Sequence, residues 1–143
     1  MIVNIPIKIL SIDNDGFHLL IEIEINHKKA NLLIDTGASR TVFDEEIIKE
    51  YLKNEDVEFE ENVTLSAGIG TNTMKSKAVI LDLLKFDSLE IENYHALVLD
   101  LRHVNESYKM LKLPVIHGIL GGDLLKKLKA VIYYKTKILK LYS

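Results

Sequence analysis

The residues best suited to chemistry in this chain lie in one short stretch, Asp35-Thr36-Gly37, which directly follows the apolar residues Leu32-Leu33-Ile34. The apolar run predicts a buried strand, and glycine permits a tight turn where that strand ends. A carboxylate is thereby placed at the tip of a rigid strand. Such a carboxylate is either a capping group in a turn or a reactive acid, and the motifs that follow favour the reactive acid.

Two further patterns lie C-terminal to this acid. The first is Gly68-Ile69-Gly70, at the tip of a hairpin predicted from residues 63–78. The second is Ile119-Leu120-Gly121-Gly122-Asp123, in which two apolar residues, a glycine and a further residue precede an acid. Apolar residues follow Asp123, and we expect it to cap a short helix rather than to act as a catalyst.

In this order, the motifs resemble those of the retropepsin-like (clan AA) aspartic protease family, and the resemblance covers roughly residues 30–128. It rests on Asp-Thr-Gly-Ala after an apolar strand, a glycine-tipped hairpin, and Ile-Leu-Gly before a short helix. It implies a mostly β fold: a closed acid-protease-type barrel with two or three short helices and one lobe per chain. It also implies aspartic endopeptidase activity on peptides or unfolded protein, with no cofactor and no metal.

The resemblance assigns roles to individual residues. Asp35 would be the catalytic acid, the Thr36 hydroxyl would bond across a twofold axis, and the Gly37 N–H would approach the carboxylate. The other implied residues contact substrate (Ala38, Ser39 and the flap residues Gly68, Ile69 and Gly70) or support the loop from beneath (Ile119, Leu120 and Gly121). Viral members usually carry an acid where this chain has Ser39, so the substrate class stays open.

The chemistry of such a protease requires two carboxylates that share one proton, because like charges about 3 Å apart cannot both ionise. This chain has one Asp-Thr-Gly motif, and its 143 residues leave no room for a second lobe. We therefore predict a homodimer in which each Asp35 meets its own copy. The alternative is a dimeric module of the same fold that binds peptides or assembles without cleaving them.

The composition fits a globular chain of one domain, residues 1–143. The chain is 48% hydrophobic and 27% charged with a net charge of −3, and its scattered basic residues predict no nucleic-acid partner. It has no cysteine, which excludes disulfides and thiolate metal sites. Neither a signal peptide nor a run of about 18 apolar residues is recognisable, so we expect no membrane partner and a cytoplasmic location.

The elements that must position these motifs are mostly short strands. Period-two alternation and apolar runs predict them at residues 3–9, 17–25, 30–34, 41–43, 63–67, 71–78, 79–84, 89–91, 96–99, 130–134 and 138–141. Pro6 favours an edge position for the first strand, and the terminal strands are apolar enough to pair with a second chain. Helices are predicted at 44–53 with Asp44 as N-cap, at 104–113 up to Pro114, and at 124–128.

The five histidines show no metal-binding spacing such as His-x-x-x-His. We expect His18, His27, His95 and His103 to lie on the surface or to pack. His117 lies close to Ile119-Leu120-Gly121 in the sequence, and we predict that it modulates the site weakly.

Overall fold

The computed structural model describes residues 1–53, 60–66 and 73–143. The predicted flap tip, Gly68-Ile69-Gly70, lies outside these ranges. Eleven strands and three helices are arranged in the order β1 (Ile2–Pro6), β2 (Lys8–Ser11), β3 (Phe17–Ile25), β4 (Lys28–Ile34), β5 (Val42–Asp44), a 3₁₀ helix (Ile47–Tyr51), β6 (Glu60–Ser66), β7 (Thr73–Phe86), β8 (Leu89–Leu99), α1 (Arg102–Met110), β9 (Gly118–Leu120), α2 (Gly122–Lys127), β10 (Val131–Tyr133) and β11 (Ile138–Tyr142).

Most of the strands form one sheet with the order β2-β3-β4-β9-β5-β8-β7-β6. An additional pairing joins β3 to β7, where Ile25 stands opposite Leu84, and closes six of these strands into a barrel. The predicted mostly β fold with a closed barrel is therefore confirmed. The interior is filled by aliphatic and aromatic side chains that are almost inaccessible to solvent, among them Ile21, Ile25, Leu32, Phe43, Leu81, Leu84, Phe86 and Leu120.

The two ends of the chain form a second sheet with the order β1-β11-β10. Ile2 stands opposite Tyr142 and Pro6 opposite Ile138, so the terminal strands pair with each other within one chain. Pro6 lies on an edge strand, as its missing N–H requires. Because β11 has neighbours on both sides, the open edges of this sheet in the described part of the chain are β1 and β10.

Several predicted elements have different bounds in the structure. The helix predicted at 44–53 is the shorter 3₁₀ helix Ile47–Tyr51, because Asp44 belongs to strand β5. The side chain of Asp44 still accepts hydrogen bonds from the N–H groups of Glu46 and Ile47, at 3.1 and 2.9 Å. Its second oxygen accepts the Leu101 N–H at 2.8 Å, and this long-range contact fixes Asp44 in the strand.

The segment 79–84 and the described residues 73–78 belong to a single strand, β7, and the segments 89–91 and 96–99 belong to a single strand, β8. Asn93 lies in the middle of β8 with φ of 50°, a conformation that asparagine tolerates better than most residues. The residues Asn93, Tyr94 and His95, which separate the two predicted segments, therefore lie within β8 and do not end it. In the described ranges, no helix is long and apolar enough to cross a membrane.

Candidate active site

Asp35 lies immediately after β4, which runs through the barrel wall with Leu32 and Ile34 buried. The backbone N–H of Asp35 donates to the carbonyl oxygen of Leu120 at 3.0 Å. The chain then turns, and the Ala38 N–H donates to the Asp35 carbonyl at 3.2 Å. The backbone of Asp35 is thus fixed on both sides, while its side chain is exposed to solvent.

Gly37 lies against the carboxylate of Asp35. Its N–H donates to Asp35 Oδ1 at 2.9 Å. A Cβ atom at position 37 would lie 3.3 Å from the same oxygen, tighter than an ordinary van der Waals contact. Glycine therefore leaves room for the carboxylate, and its amide orients one carboxylate oxygen. The other oxygen, Oδ2, accepts no hydrogen bond from the residues that the structure describes.

The neighbouring loop residues differ in exposure. Thr36 and Ser39 are exposed and Ala38 is half-buried. The partner predicted for the Thr36 hydroxyl belongs to a second chain, and within one chain this side chain faces solvent. Thr36, Ala38 and Ser39 therefore stay available for contacts with molecules outside the chain.

The segment Ile119-Leu120-Gly121 lies directly beside the Asp35 loop. Strand β9 runs parallel to β4, with Ile34 opposite Leu120. A Cβ atom on Gly121 would lie 2.6 Å from the backbone of Arg40 and 2.9 Å from the carbonyl oxygen of Ala38, so only glycine fits here without a shift of the backbone. The backbone at Gly121 is therefore in direct contact with the backbone at Ala38 and Arg40.

Hydrogen bonds continue this contact into the start of α2. The N–H of Gly122 donates to the Ala38 carbonyl at 2.7 Å, and the N–H of Asp123 donates to the Ser39 carbonyl at 3.2 Å. Two of the first amides of α2, which have no acceptor within the helix, are thereby satisfied by the Asp35 loop. The helix start and the loop hold each other in place.

Asp123 and Thr41 form a partly buried link that the sequence did not indicate. Asp123 Oδ1 accepts hydrogen bonds from the Thr41 N–H at 2.8 Å and from the Thr41 hydroxyl at 2.7 Å. The Thr41 hydroxyl oxygen in turn accepts the Gly121 N–H at 3.0 Å. The prediction that Asp123 is a helix cap is wrong, since Gly121 is the N-cap residue and Asp123 lies within the helix.

Two more side chains surround this link. Arg40 Nε lies 3.6 Å from Asp123 Oδ2 in a partly exposed ion pair. Tyr94 packs edge-on against Phe43, with ring centroids 6.4 Å apart. Burial raises the pKa of Tyr94 to about 12, with a smaller contribution from the Asp123 carboxylate, while Arg40 and a hydrogen bond with Thr41 act in the opposite direction. Tyr94 is therefore a neutral hydroxyl near the loop at any physiological pH.

The opposite side of the loop borders an open cavity of about 440 Å³. Aromatic and aliphatic side chains form most of its wall, and Asp35 contributes the carboxylate. The cavity is lined by Phe17, His18, Leu19, Leu33, Ile34, Asp35, Thr36, Ile132 and Tyr134. Phe17 and Tyr134 are 67% and 61% exposed, so this apolar surface faces solvent beside the acid.

His117, predicted as a weak modulator, lies beside the middle of β4. Its Nδ1 accepts the N–H of Asn31, which precedes Asp35 by four residues, or about 13 Å of strand. Its ring packs edge-on against Tyr51 at 5.6 Å. Burial lowers the pKa of His117, and the carboxylates of Glu50 and Asp44 act in the opposite direction. The structure gives His117 a packing position rather than a place in the cavity.

Comparisons with known proteins identify a family and a fold. A family model described as aspartyl protease matches residues 21–124, a range that contains Asp35 and the segment up to Leu124. No curated protein matches the chain.

Two solved structures share the fold. One is the crystal structure of a retropepsin-like aspartic protease from Rickettsia conorii, with a TM-score of 0.60 and 22% identity over 99% of this chain and 92% of that chain. The other is the crystal structure of the retroviral protease-like domain of Ddi1 from Leishmania major, with a TM-score of 0.56 and 16% identity over 87% of each chain. At these identities the likeness is one of fold.

Proposed function

The chain belongs to the aspartyl protease family, and from this premise we propose that it is an aspartic endopeptidase whose active site forms between two copies of the chain. The observation that carries this proposal is the exposed Asp35 carboxylate, which is held at the tip of β4 by the Gly37 amide beside an open cavity. A single chain supplies one such carboxylate, so the second is proposed to come from the twofold-related copy.

In the proposed reaction the two Asp35 carboxylates share one proton and hold a water molecule between them. The ionised carboxylate takes a proton from the water as its oxygen bonds to the peptide carbonyl carbon, and the protonated carboxyl gives its proton to the carbonyl oxygen. When the resulting diol collapses, the C–N bond breaks, the carboxyl that took the proton from water gives it to the amine nitrogen, and a diol hydroxyl returns its proton to the other carboxylate. The products are a free carboxyl and a free amine.

The other loop residues have supporting roles in this proposal. The Gly37 amide keeps the carboxylate oriented, and the Thr36 hydroxyl donates across the twofold axis. Ala38 and Ser39 contact the substrate backbone. Because Ala38 offers no hydroxyl group to the acids, we expect activity to be highest at mildly acidic pH. It should decline on either side, where the pair is fully protonated or fully ionised.

The deciding experiment compares the wild type with Asp35→Asn on a peptide library from pH 3 to 8. Asparagine keeps the size and the oxygen that accepts the Gly37 amide, but it cannot take a proton from water. We expect cleavage by the wild type and none by the variant. Equal cleavage would contradict a catalytic Asp35, and peptide binding by both proteins without cleavage would support the binding-module alternative.

Assembly is tested separately by analytical ultracentrifugation at tens of micromolar protein. A dimer is expected for both wild type and Asp35→Asn, because the substitution leaves the surface shape unchanged. A fully active monomer would rule out a site shared between two chains.

A further inference from the structure

His18 and Asp35 line the same cavity, although 17 positions separate them in the sequence. The antiparallel register of β3 and β4 ends with Leu19 opposite Ile34, so the next residues in that register are His18 and Asp35. Directly opposed residues of an antiparallel pair project their side chains to the same face, with Cβ atoms about 5 Å apart. Both residues line the 440 Å³ cavity, which agrees with this register.

The His18 ring is held from behind by Tyr108 of α1. The Tyr108 hydroxyl oxygen lies 2.5 Å from His18 Nδ1, and the two rings stack with an interplanar angle of 25°. Tyr108 is 4% exposed and belongs to a small core with Leu10, Leu20 and Ile116. The hydroxyl therefore comes from a packed, rigid position, and it fixes the orientation of an otherwise exposed ring.

This contact bears on which hydrogen-bonding group the histidine offers to the cavity. In a neutral ring with its hydrogen on Nε2, Nδ1 accepts the Tyr108 O–H, whereas with the hydrogen on Nδ1 the Tyr108 oxygen accepts and Nε2 is an acceptor. When the ring is protonated, both nitrogens carry hydrogen and the Tyr108 oxygen accepts. Nε2 is therefore a donor in the first neutral tautomer and in the protonated ring, and it has no hydrogen-bond partner among the residues described here.

We propose that His18 is a substrate-binding residue whose Nε2–H donates to a backbone carbonyl of the bound peptide next to the scissile bond, with Tyr108 as the residue that positions it. This inference rests on the proposed function and extends it, since it names a donor contact in the Asp35 cavity. The contact exists both before and during the reaction, so its loss raises KM and leaves kcat nearly unchanged.

The first test measures steady-state cleavage of one library peptide by variants at position 18. His18→Leu removes the donor, and we expect KM to rise about two- to tenfold, the range for one neutral hydrogen bond. His18→Gln keeps an N–H group near the position of Nε2 and should recover most of the wild-type KM. His18→Asn reaches only the position of Nδ1 and should resemble His18→Leu. His103→Leu, at an exposed site on α1, is the matched control and should leave KM unchanged.

The second test distinguishes positioning from simple stabilisation of α1. Tyr108→Phe should raise KM less than His18→Leu, and it should cause no further rise when the two changes are combined, because Tyr108 acts only through His18. A purely structural contact would not change KM in either single variant. Tyr51→Phe is the control, since it removes a hydroxyl that donates to the Lys29 carbonyl, away from the cavity.

The outcomes separate the two proposals. Wild-type cleavage with an unchanged KM in His18→Leu would overturn the role of His18 and leave the protease proposal intact. If the wild type cleaves no peptide, both are overturned. Should His18→Leu fail to fold, His18→Gln and His18→Asn decide, and an equal KM for these two variants would contradict the proposed donor.

Discussion

The two halves of the loop from Asp35 to Thr41 differ in how they are held. In the first half, residues 35–37 are exposed, and among the residues that the structure describes the Asp35 side chain is hydrogen-bonded only to the amide of Gly37. In the second half, Thr41 is 1% exposed and is bonded through its amide and its hydroxyl to Asp123, 82 residues further along the chain. One half presents groups to the cavity and the other fastens the loop to α2.

Within these seven residues, the groups that could take part in a reaction are therefore different from the groups that stabilise the loop. An exposed carboxylate with a free oxygen can meet a second carboxylate and a water molecule, but it adds little to folding. The Asp123 carboxylate, whose side chain is 28% exposed, accepts several hydrogen bonds through one oxygen, so it stabilises the loop, and Asp123 is not among the residues that line the cavity. Substitutions at Asp35 and Asp123 therefore test whether the proposed chemistry and the stability of the loop can be separated.

The largest expected effect is on activity, from Asp35→Asn. Loss of the proton-transferring group should reduce kcat at least 100-fold, within the range of about 10² to 10⁴ for acid–base catalysis. The free energy of unfolding should change by less than about 0.5 kcal/mol, because the side chain is exposed and asparagine still accepts the Gly37 amide. Urea unfolding beside the cleavage assay checks both, and a marked loss of stability would remove the contrast between the two halves.

The next largest effect is on stability, from Gly121→Ala. The added Cβ atom would lie 2.6 Å from the backbone of Arg40, and backbone cannot rotate away as a side chain can. We expect a loss of about 1–3 kcal/mol, the usual cost of forcing an extra carbon into a packed site. Thermal unfolding measures it against Gly16→Ala, where an added Cβ atom meets nothing within 4 Å. Equal melting temperatures for the two variants would show that the backbone of the Asp35 loop is not tightly packed against Gly121.

The Asp123 link should respond differently to two substitutions. Asp123→Ala leaves the buried Thr41 N–H and hydroxyl without their acceptor and should cost about 1–3 kcal/mol. Asp123→Asn keeps an acceptor oxygen and loses mainly the half-exposed ion pair with Arg40, which is worth at most about 1 kcal/mol. Denaturant unfolding of the two variants measures the difference between their free energies of unfolding. If both variants lose the same stability, the charge of Asp123 matters more than its hydrogen bonds.

Sequence patterns predicted the features that depend on near neighbours. Strand β3 was predicted with its observed bounds, Phe17–Ile25, because alternating apolar residues specify a half-buried strand by themselves. The position of Asp35 after an apolar strand was also readable, since the strand and the turn adjoin it. Strand β5 was predicted at 41–43 and is observed one residue later, at Val42–Asp44, because Asp44 is fixed there by the amide of Leu101, 57 positions away.

The remaining features depend on pairings between distant parts of the chain. Nothing in the sequence near Thr41 indicates that its hydroxyl is hydrogen-bonded to Asp123. Nothing near His18 indicates that it contacts Tyr108 and lines the same cavity as Asp35. The terminal strands carry enough apolar residues to pair with any suitable edge, so their pattern could not say that they pair within one chain. These contacts follow from strand order and register, which only the folded chain defines.

The smallest predicted effect concerns the middle of β4, where His117 is half-buried between Asn31 and Tyr51. Burial lowers the pKa of His117 from its ordinary value of 6.5, so below about pH 6.5 the unfolded chain binds a proton that the folded chain does not. The free energy of unfolding therefore rises with pH in this window and declines as the solution is acidified, until the pKa of the folded state is passed. His117→Asn, which keeps an acceptor near Nδ1 for the Asn31 amide but cannot titrate, should flatten this part of the profile. Urea unfolding at intervals from pH 5 to 8 measures the slope, with His103→Asn as the exposed control. If the slope is the same in both variants, His117 does not cause it. If His117→Asn also moves the pH optimum of cleavage, the protonation of His117 affects the site at Asp35, although Asn31 and Asp35 are four residues apart on the chain.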